Sequence, residues 1–302
     1  MTSSSSVRDL LTALFITFVG GCLALAGGSG GLDCGGVSIF LWCAALAFAL
    51  NWIVYVPSAF ARTEHYFDLT GGLTYLSVTA LAVTCSGPLH LRSMIVATMV
   101  CVWAVRLAGF LFLRVKHVGK DVRFDIVKTK PSTFLVWWTL QALWVLMTMA
   151  AALAIITGNQ SVPMGWIGWT GVVVWMIGFA IEVVADAQKS AFKRDPKNQG
   201  SFIRTGLWSW SRHPNYFGEI VLWCGIALMA IPVLVGWQFV TLISPLFVAF
   251  LLIKMSGVPL LEQKADERWG GQDAYESYKA STPVLVPRPP RTNTPDPSKP
   301  SS

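Results

Sequence analysis

The sequence predicts an all-α fold, a polytopic membrane helix bundle with about seven to eight transmembrane helices. Three observations carry that prediction. Only 13% of the 302 residues are charged and 54% are hydrophobic, whereas an ordinary soluble domain carries about a quarter charged residues. Apolar runs recur along the whole chain. Lys and Arg gather in alternate connecting segments, the pattern that sets topology in a bilayer. The mean hydropathy of +0.55 agrees. The net charge of +7 therefore belongs to short loops and is no nucleic-acid signal; the expected partner is the lipid bilayer.

Residues 1–9 form a polar lead, 10–282 the transmembrane domain (its motif-bearing half being 133–282), and 283–302 a Pro/Ser-rich tail. The run 10–26 ends Ala24-Leu25-Ala26, which resembles a signal-peptidase site. Asp9 cancels Arg8 as a positive lead, so a retained helix is the preferred reading. The Gly-rich stretch 27–36 reads as a loop. The second run, 37–56, is stopped by Pro57, and 58–72 is a polar patch. The third run, 73–83, closes in the loop 86–92. The fourth, 94–113, carries Arg106, a costly charge in a span unless paired. Arg114, Asp121 and Arg123 follow in the charged loop 114–131. The fifth run is 133–156, then an uncharged turn at 158–163. The sixth, 164–185, has Glu182 near its end and leads into the basic loop 186–212. The last two runs, 217–229 and 235–253, are parted by Pro232. From Gly257 the chain is polar, with a surface helix around Glu262, Glu267, Arg268, Trp269, Tyr275 and Tyr278. The tail reads as disordered.

Segments 58–72, 114–131, 186–212 and the tail hold nearly all the Lys and Arg, and 27–36, 157–163 and 231–234 hold none. Both termini and the basic loops are thus expected on the cytosolic side. There is no internal repeat, which disfavours an inverted-repeat transporter. The six cysteines have no metal-ligand spacing, and most fall inside apolar runs, where they read as small buried hydrophobes. A Cys34–Cys85 disulfide would need both loops on one oxidising side.

The stretch 206–220 concentrates chemistry. It sets Arg212, His213, Asn215, Tyr216 and Glu219 within eight residues at the mouth of an apolar run. Pro214 suits the first helical position, which leaves backbone N–H groups and the positive helix end beside Arg212 and His213, an arrangement suited to phosphate or carboxylate. Asn215 and Glu219 share a face. An isolated Arg-His pair would only mark a helix end; the whole cluster argues for a site. Glu182, Asp186 and Lys189 form one stripe by spacing, readable as a site or as an internal ion pair. Glu64, Tyr66, Asp68 and Tyr75 gather near one membrane face, where an acid or phenol could polarise a carbonyl or deliver a proton. Each of them alone also fits a solvated loop.

Ala185-Asp186-Ala187-Gln188-Lys189 with Phe192, followed by Gly206-Leu207-Trp208 and Ser211-Arg212-His213-Pro214-Asn215-Tyr216-Phe217-Gly218-Glu219, resembles the steroid 5-alpha-reductase C-terminal region, specifically its DUF1295 branch. The resemblance extends to Phe67-Asp68-Leu69-Thr70-Gly71, to 106–123, and to Tyr275, Tyr278 and Lys279 before Thr282-Pro283, so it covers most of the chain. It is specific at superfamily level, since sterol reductases and isoprenylcysteine carboxyl methyltransferases share an Arg-His-Pro-x-Tyr core. It implies an NADPH-dependent reductase of conjugated enones, in the endoplasmic reticulum if eukaryotic, with the cofactor on the cytosolic side. By position, Asp186 and Asn215 match cofactor-contacting residues. Glu182 stands where steroid-specific members have asparagine. Arg212 and His213 are typical of this branch and differ in animal 5-alpha-reductases. The family's carbonyl-polarising Glu and Tyr lie on early helices, which leaves Tyr75, Tyr66, Glu64 and Asp68 as catalytic candidates.

The residues themselves agree. NADPH carries about four negative charges, and Lys189, Lys193, Arg194, Arg204 and Arg212 offer matching cations. No Gly-x-Gly-x-x-Gly follows a strand, so polar helix residues must seat the nucleotide. The expected cofactor set is Glu182, Asp186, Lys189, Arg194, Arg212, His213, Asn215, Tyr216 and Glu219, with no metal. A greasy interior suits a sterol, isoprenoid or fatty enone. Two other readings remain: an S-adenosylmethionine-dependent membrane methyltransferase using the same helix mouth, and a non-catalytic lipid-binding protein.

Overall fold

A computed structural model describes the backbone of residues 2–118 and 124–290 and the side chains of 5–109 and 124–290. Arg114, Asp121, Arg123 and the tail from residue 291 lie outside the described side chains. Every apolar run becomes helix: α1 Thr2–Gly27, α2 Ile39–Ala61, α3 Phe67–Cys85, α4 Leu91–Val118, α5 Pro131–Ile156, α6 Gly165–Arg194, α7 Pro214–Ala230 and α8 Ile243–Phe250, with α9 Val258–Trp269 and α10 Asp273–Ser281 following in the polar region. Among the described residues, seven segments are long and apolar enough to cross a membrane. Helix α3 is not among them; Asp68, four threonines and two glycines dilute its 19 residues.

Several ends differ from expectation. Helix α2 runs through Pro57 to Ala61. One missing N–H so near the end removes a single bond, and Arg62 closes the helix in the left-handed region at φ 49°. Helix α3 begins at Phe67, so Asp68 lies in its first turn rather than in a loop. Helix α6 continues to Arg194. Ala185, Ala187, Gln188, Lys189 and Ala191 are good helix formers, and Lys193 and Arg194 suit a helix C-terminus. Glu182 and Asp186 are therefore interior to α6, not at its end. The run 235–253 breaks into a 3-10 segment Gly236–Leu242, α8, and a π turn Leu251–Met255, because Gly236 takes φ +52° and Pro245 fits only the first turn of a helix. The Gly-rich 27–36 stretch leads into a hairpin, β1 Asp33–Cys34 with β2 Val37–Ser38, turned by Gly35 and Gly36 at φ +64° and +76°. That is the mirror-type turn a two-residue hairpin needs.

The chain divides into two compact units. The first comprises Met1–Val173 and Trp223–Phe247. Helix α5 is its centre, packed against α1, α2, α3 and α4. It is apolar on every side and 83% of its apolar window is buried, as expected of a helix with neighbours all round. The window of α1, by contrast, is 33% buried, so most of its surface is left to lipid. Of the four cysteines in the apolar runs, Cys43 is buried, Cys101 and Cys224 are half-buried and Cys22 is exposed.

Arg92 pins this unit at one end. It is buried, donating from Nη1 to the Met229 carbonyl at 2.7 Å and from Nη2 to the Pro163 carbonyl at 2.7 Å. Its charge meets the carbonyl end of α7, where a cation is favoured. Lysine cannot reproduce the fork, so Arg92→Lys should lower the unfolding free energy by about 1.5 kcal/mol in detergent melts, leaving one carbonyl unpaired.

The second unit comprises Val174–Leu222 and Val248–Ser302. Here α6 and the start of α7 cross at Gly178 and Gly218. A methyl group on Gly218 would lie 2.6 Å from the Gly178 carbonyl oxygen and 2.7 Å from the Glu182 nitrogen. Only glycine permits backbones this close.

Candidate functional site

The 206–220 stretch is built into the second unit by bonds that start on α6. Gly206, at φ +61°, opens a short 3-10 turn Gly206–Ser209. Gln188 Oε1 accepts from the Leu207 N–H at 2.9 Å, and the Trp208 indole donates to the Ala185 carbonyl at 3.0 Å. The Lys189 ammonium lies 4.4 Å over the Trp208 ring. The Ala185–Lys189 motif thus seats the turn that delivers Arg212 and His213.

The far side is held by the C-terminal segment. Tyr278 donates to the Trp208 carbonyl at 2.7 Å, the Arg212 N–H to the Pro283 carbonyl at 2.9 Å, and Ser211 Oγ to the Leu285 carbonyl at 2.8 Å. Arg288 N–H donates to the Trp210 carbonyl at 2.9 Å. Residues 283–290, read from composition as the start of a disordered tail, lie along this turn. Phe202 packs among Trp269, Tyr275 and Tyr278, which fastens α9 and α10 down.

Helix α7 begins at Pro214, as the spacing predicts. Asn215 Nδ2 in its first turn donates to Asp186 Oδ1 at 3.2 Å. The Tyr216 ring stacks on His213, 5.6 Å between centroids and 9° between planes. Glu262 of α9 holds both side chains: one oxygen accepts from Arg212 Nη1, the other pairs with His213 Nε2 at 2.7 Å. Burial lowers the pKa of His213 below the ordinary imidazole value, and Glu262 pulls the other way. His213 is 4% exposed and its Nδ1 has no hydrogen-bond partner among the described residues; Arg212 Nε and Asn215 Oδ1 are likewise buried and unpartnered. Glu182 is buried on α6 one turn before Asp186, and Glu219 lies one turn after Asn215 on α7. Arg194, at the exposed end of α6, folds back on the Ser190 carbonyl at 3.3 Å and stands apart from this cluster.

The other candidates belong to the first unit. Glu64 is buried and ion-paired to Lys128 at 2.8 Å, a hydrogen bond that raises the Lys128 pKa. Tyr66 is exposed, directly before α3. Asp68 is half-buried in the first turn of α3. Tyr75 is seven residues further along that helix, buried and edge-on to Trp103 at 5.1 Å. Asp68 and Tyr75 therefore share a helix face.

Residues 52–282 match a family described as "Protein of unknown function (DUF1295)". The chain belongs to the DUF1295 family. Among curated relatives, it is 27% identical over 118 residues to the rat (Rattus norvegicus) 3-oxo-5-alpha-steroid 4-dehydrogenase 1, covering 39% of this chain and 40% of that protein. The bovine (Bos taurus) protein of the same name is 34% identical over 70 residues, covering 23% and 27%. The probable O-methyltransferase ustE of Ustilaginoidea virens is 32% identical over 78 residues, covering 23% and 28%. The chain thus matches at most two fifths of these relatives' length. No solved structure gives a significant match.

One residue of this DUF1295 chain escaped sequence reasoning. Glu262 lies on a helix that reads as plain amphipathic surface, about fifty positions from its partners, and no local spacing links it to Arg212 and His213. The resemblance at Tyr275 and Tyr278 was the nearest signal, and Tyr278 is what ties the segment back to Trp208.

Proposed function

We propose that this DUF1295 chain is a membrane-embedded, NADPH-dependent oxidoreductase that reduces the conjugated C=C bond of a steroid or other lipid enone. One observation carries the reading: within four consecutive residues at one helix mouth, three buried polar atoms, Arg212 Nε, His213 Nδ1 and Asn215 Oδ1, have no partner among the described residues. Buried polar groups are normally satisfied, so this mouth suits a polar ligand. The Arg212 charge and the α7 N-terminus suit an anionic one. Lys189 and the exposed cations Lys193, Arg194 and Arg204 add an attraction for phosphate. The relatives named 3-oxo-5-alpha-steroid 4-dehydrogenase 1 support the same reaction class.

In this reading Arg212 and Lys189 offset the phosphate charge, and Asn215, held by Asp186, fixes the ligand's orientation. His213, neutral through burial, offers Nδ1 as an acceptor. NADPH, when bound, supplies the hydride. The enone oxygen needs a hydrogen-bond donor where negative charge collects, a role the resemblance gives to the early helices, where Tyr75 and Tyr66 can donate and Glu64, ionised in its pair with Lys128, cannot. A proton, drawn from water, then adds at the α-carbon. The basic loops support a cytosolic cofactor side and cytosolic termini, with the endoplasmic reticulum the expected membrane in a eukaryote.

A second reading has its own observation, the match to a probable O-methyltransferase. A methyl-donor carboxylate could use the same mouth. The phosphate-compatible cations favour the reductase. The test is melting of the purified protein with each cofactor. NADPH at about a hundredfold excess over its Kd should stabilise by ~2.7 kcal/mol, and lipid enones should then drive its oxidation. Stabilisation by S-adenosylmethionine alone would overturn the reductase.

A further inference from the structure

We propose, resting on the nucleotide reading of this site, that the α7 mouth holds the vicinal hydroxyls of a ribose. His213 Nδ1 and Asn215 Oδ1 accept from the sugar, and Arg212 Nε donates to it. The polarity of these three buried atoms, which have no partner among the described residues, selects that ligand group.

A bond on the far side of each group fixes its polarity. Glu262 accepts from Arg212 Nη1, which holds it as a carboxylate. His213 Nε2, 2.7 Å from the other Glu262 oxygen, must then carry the hydrogen. The imidazole is 4% exposed and burial keeps it neutral, so Nδ1 is left as an acceptor. Asn215 Nδ2 donates to Asp186 Oδ1 at 3.2 Å. Turning that amide over would set two oxygens face to face, so Oδ1 is the outward end and a second acceptor. Arg212 Nε can only donate. The imidazole is also held in place. Tyr216 stacks on it with 9° between planes, and Ser211 Oγ accepts from the His213 N–H at 3.1 Å.

Two acceptors and one donor make a demand that few ligand groups meet. A deprotonated diphosphate offers only acceptors, and so does an enone carbonyl. Either would satisfy Arg212 Nε and leave His213 Nδ1 and Asn215 Oδ1 buried without a donor, which costs affinity. A hydroxyl both donates and accepts. Two adjacent hydroxyls supply both donors, and one of their oxygens accepts from Arg212. NADPH has one vicinal pair, on its nicotinamide ribose, because the other ribose carries the 2′-phosphate. The nicotinamide half is therefore the half assigned to this mouth.

The test is titration calorimetry on the purified full chain. NADPH is compared with an analogue lacking both nicotinamide-ribose hydroxyls. It is also compared with the 3-acetylpyridine analogue, which keeps the hydroxyls and loses the carboxamide hydrogens. Loss of the hydroxyls should weaken binding about thirtyfold, two hydrogen bonds of ordinary net strength. The acetylpyridine form should bind as NADPH does. In Asn215→Leu the deoxy penalty should shrink to about fivefold, since one bond is already gone. A purely structural role for Asn215 would weaken both ligands alike and leave the penalty whole. The parent comparison decides alone if that variant does not fold. Should S-adenosylmethionine bind and NADPH not, the reductase reading falls, and the same thirtyfold loss is expected between S-adenosylmethionine and its 2′,3′-dideoxy form. Equal affinity of a cofactor and its deoxy form would overturn the proposal, as would a loss confined to the acetylpyridine analogue. Binding of neither cofactor would overturn both the proposal and the nucleotide reading.

Discussion

Gly218→Ala should unfold the second unit far more readily than its small size suggests. In a helix interior alanine is normally better than glycine by about 0.8–1 kcal/mol. Here the added carbon would meet backbone, 2.6 Å from the Gly178 oxygen, 2.7 Å from the Glu182 nitrogen and 3.1 Å from its Cα. Backbone cannot turn aside as a side chain does, so the helices must part. Overpacking of this kind costs about 3 kcal/mol. Gly178→Ala should behave alike, since its methyl group would approach the Leu222 nitrogen to 2.4 Å. Gly21→Ala supplies the contrast: that helical position in α1 faces open space, and the same change there should be neutral or mildly stabilising. Denaturant unfolding in detergent measures all three. Equal stability of the Gly218 and Gly21 variants would show that the close crossing contributes nothing. Parting the helices should also lengthen the Asn215–Asp186 bond, so the Gly218 variant should lose cofactor-induced stabilisation even where it remains folded.

Glu262→Ala should cost about 3 kcal/mol, because it leaves Arg212 and His213 largely buried without their carboxylate. That figure sits at the low end for a buried pair, as Glu262 itself keeps about a fifth of its side chain exposed. Glu262→Gln keeps one acceptor oxygen, enough for one of the two donors, and should cost less than alanine. Acidification sharpens the difference. Burial sets the His213 pKa below the ordinary 6.5. The folded state therefore binds fewer protons than the unfolded chain, and stability falls as pH drops from that value through the lowered one. Glu262 opposes the lowering. Without it the imidazole stays neutral to still lower pH, so the gap between parent and variant should hold steady until the pH reaches the parent's lowered value and widen below it. Melting curves across that range decide the matter; a gap that stays constant would mean His213 does not sense Glu262.

Helix content was legible because hydrophobicity is summed over long windows and does not depend on which helix neighbours which. Helix ends were less so. Pro57 is a strong stop signal in isolation, yet it sits one turn from the real end, where its missing N–H matters little. The apolar run of α6 stops near Ala185, but the helix does not, since Asp186 to Arg194 need only propensity and a favourable dipole to continue. Asn215 and Asp186 could each be picked out by type and position, and they meet. Glu262 could not be picked out, since its meaning depends on where the chain turns after Gly257, a long-range outcome with no local pattern. Glu64 was visible as a carboxylate near a membrane face, but its pairing with Lys128 spans 64 positions and follows from the tertiary arrangement alone.

The clasp between residues 208–213 and 278–288 has a consequence for the order of biosynthesis. The ribosome releases Arg212 and His213 well before Glu262, Tyr278, Pro283 and Leu285 exist. During that interval a cation and an imidazole wait at a helix mouth with no protein partner, in contact with water or lipid headgroups. The site therefore closes late, when the C-terminal strap arrives. A chain interrupted between Glu219 and Glu262 would carry every residue of the 206–220 motif and still present an open, uncompensated pair to the quality-control machinery.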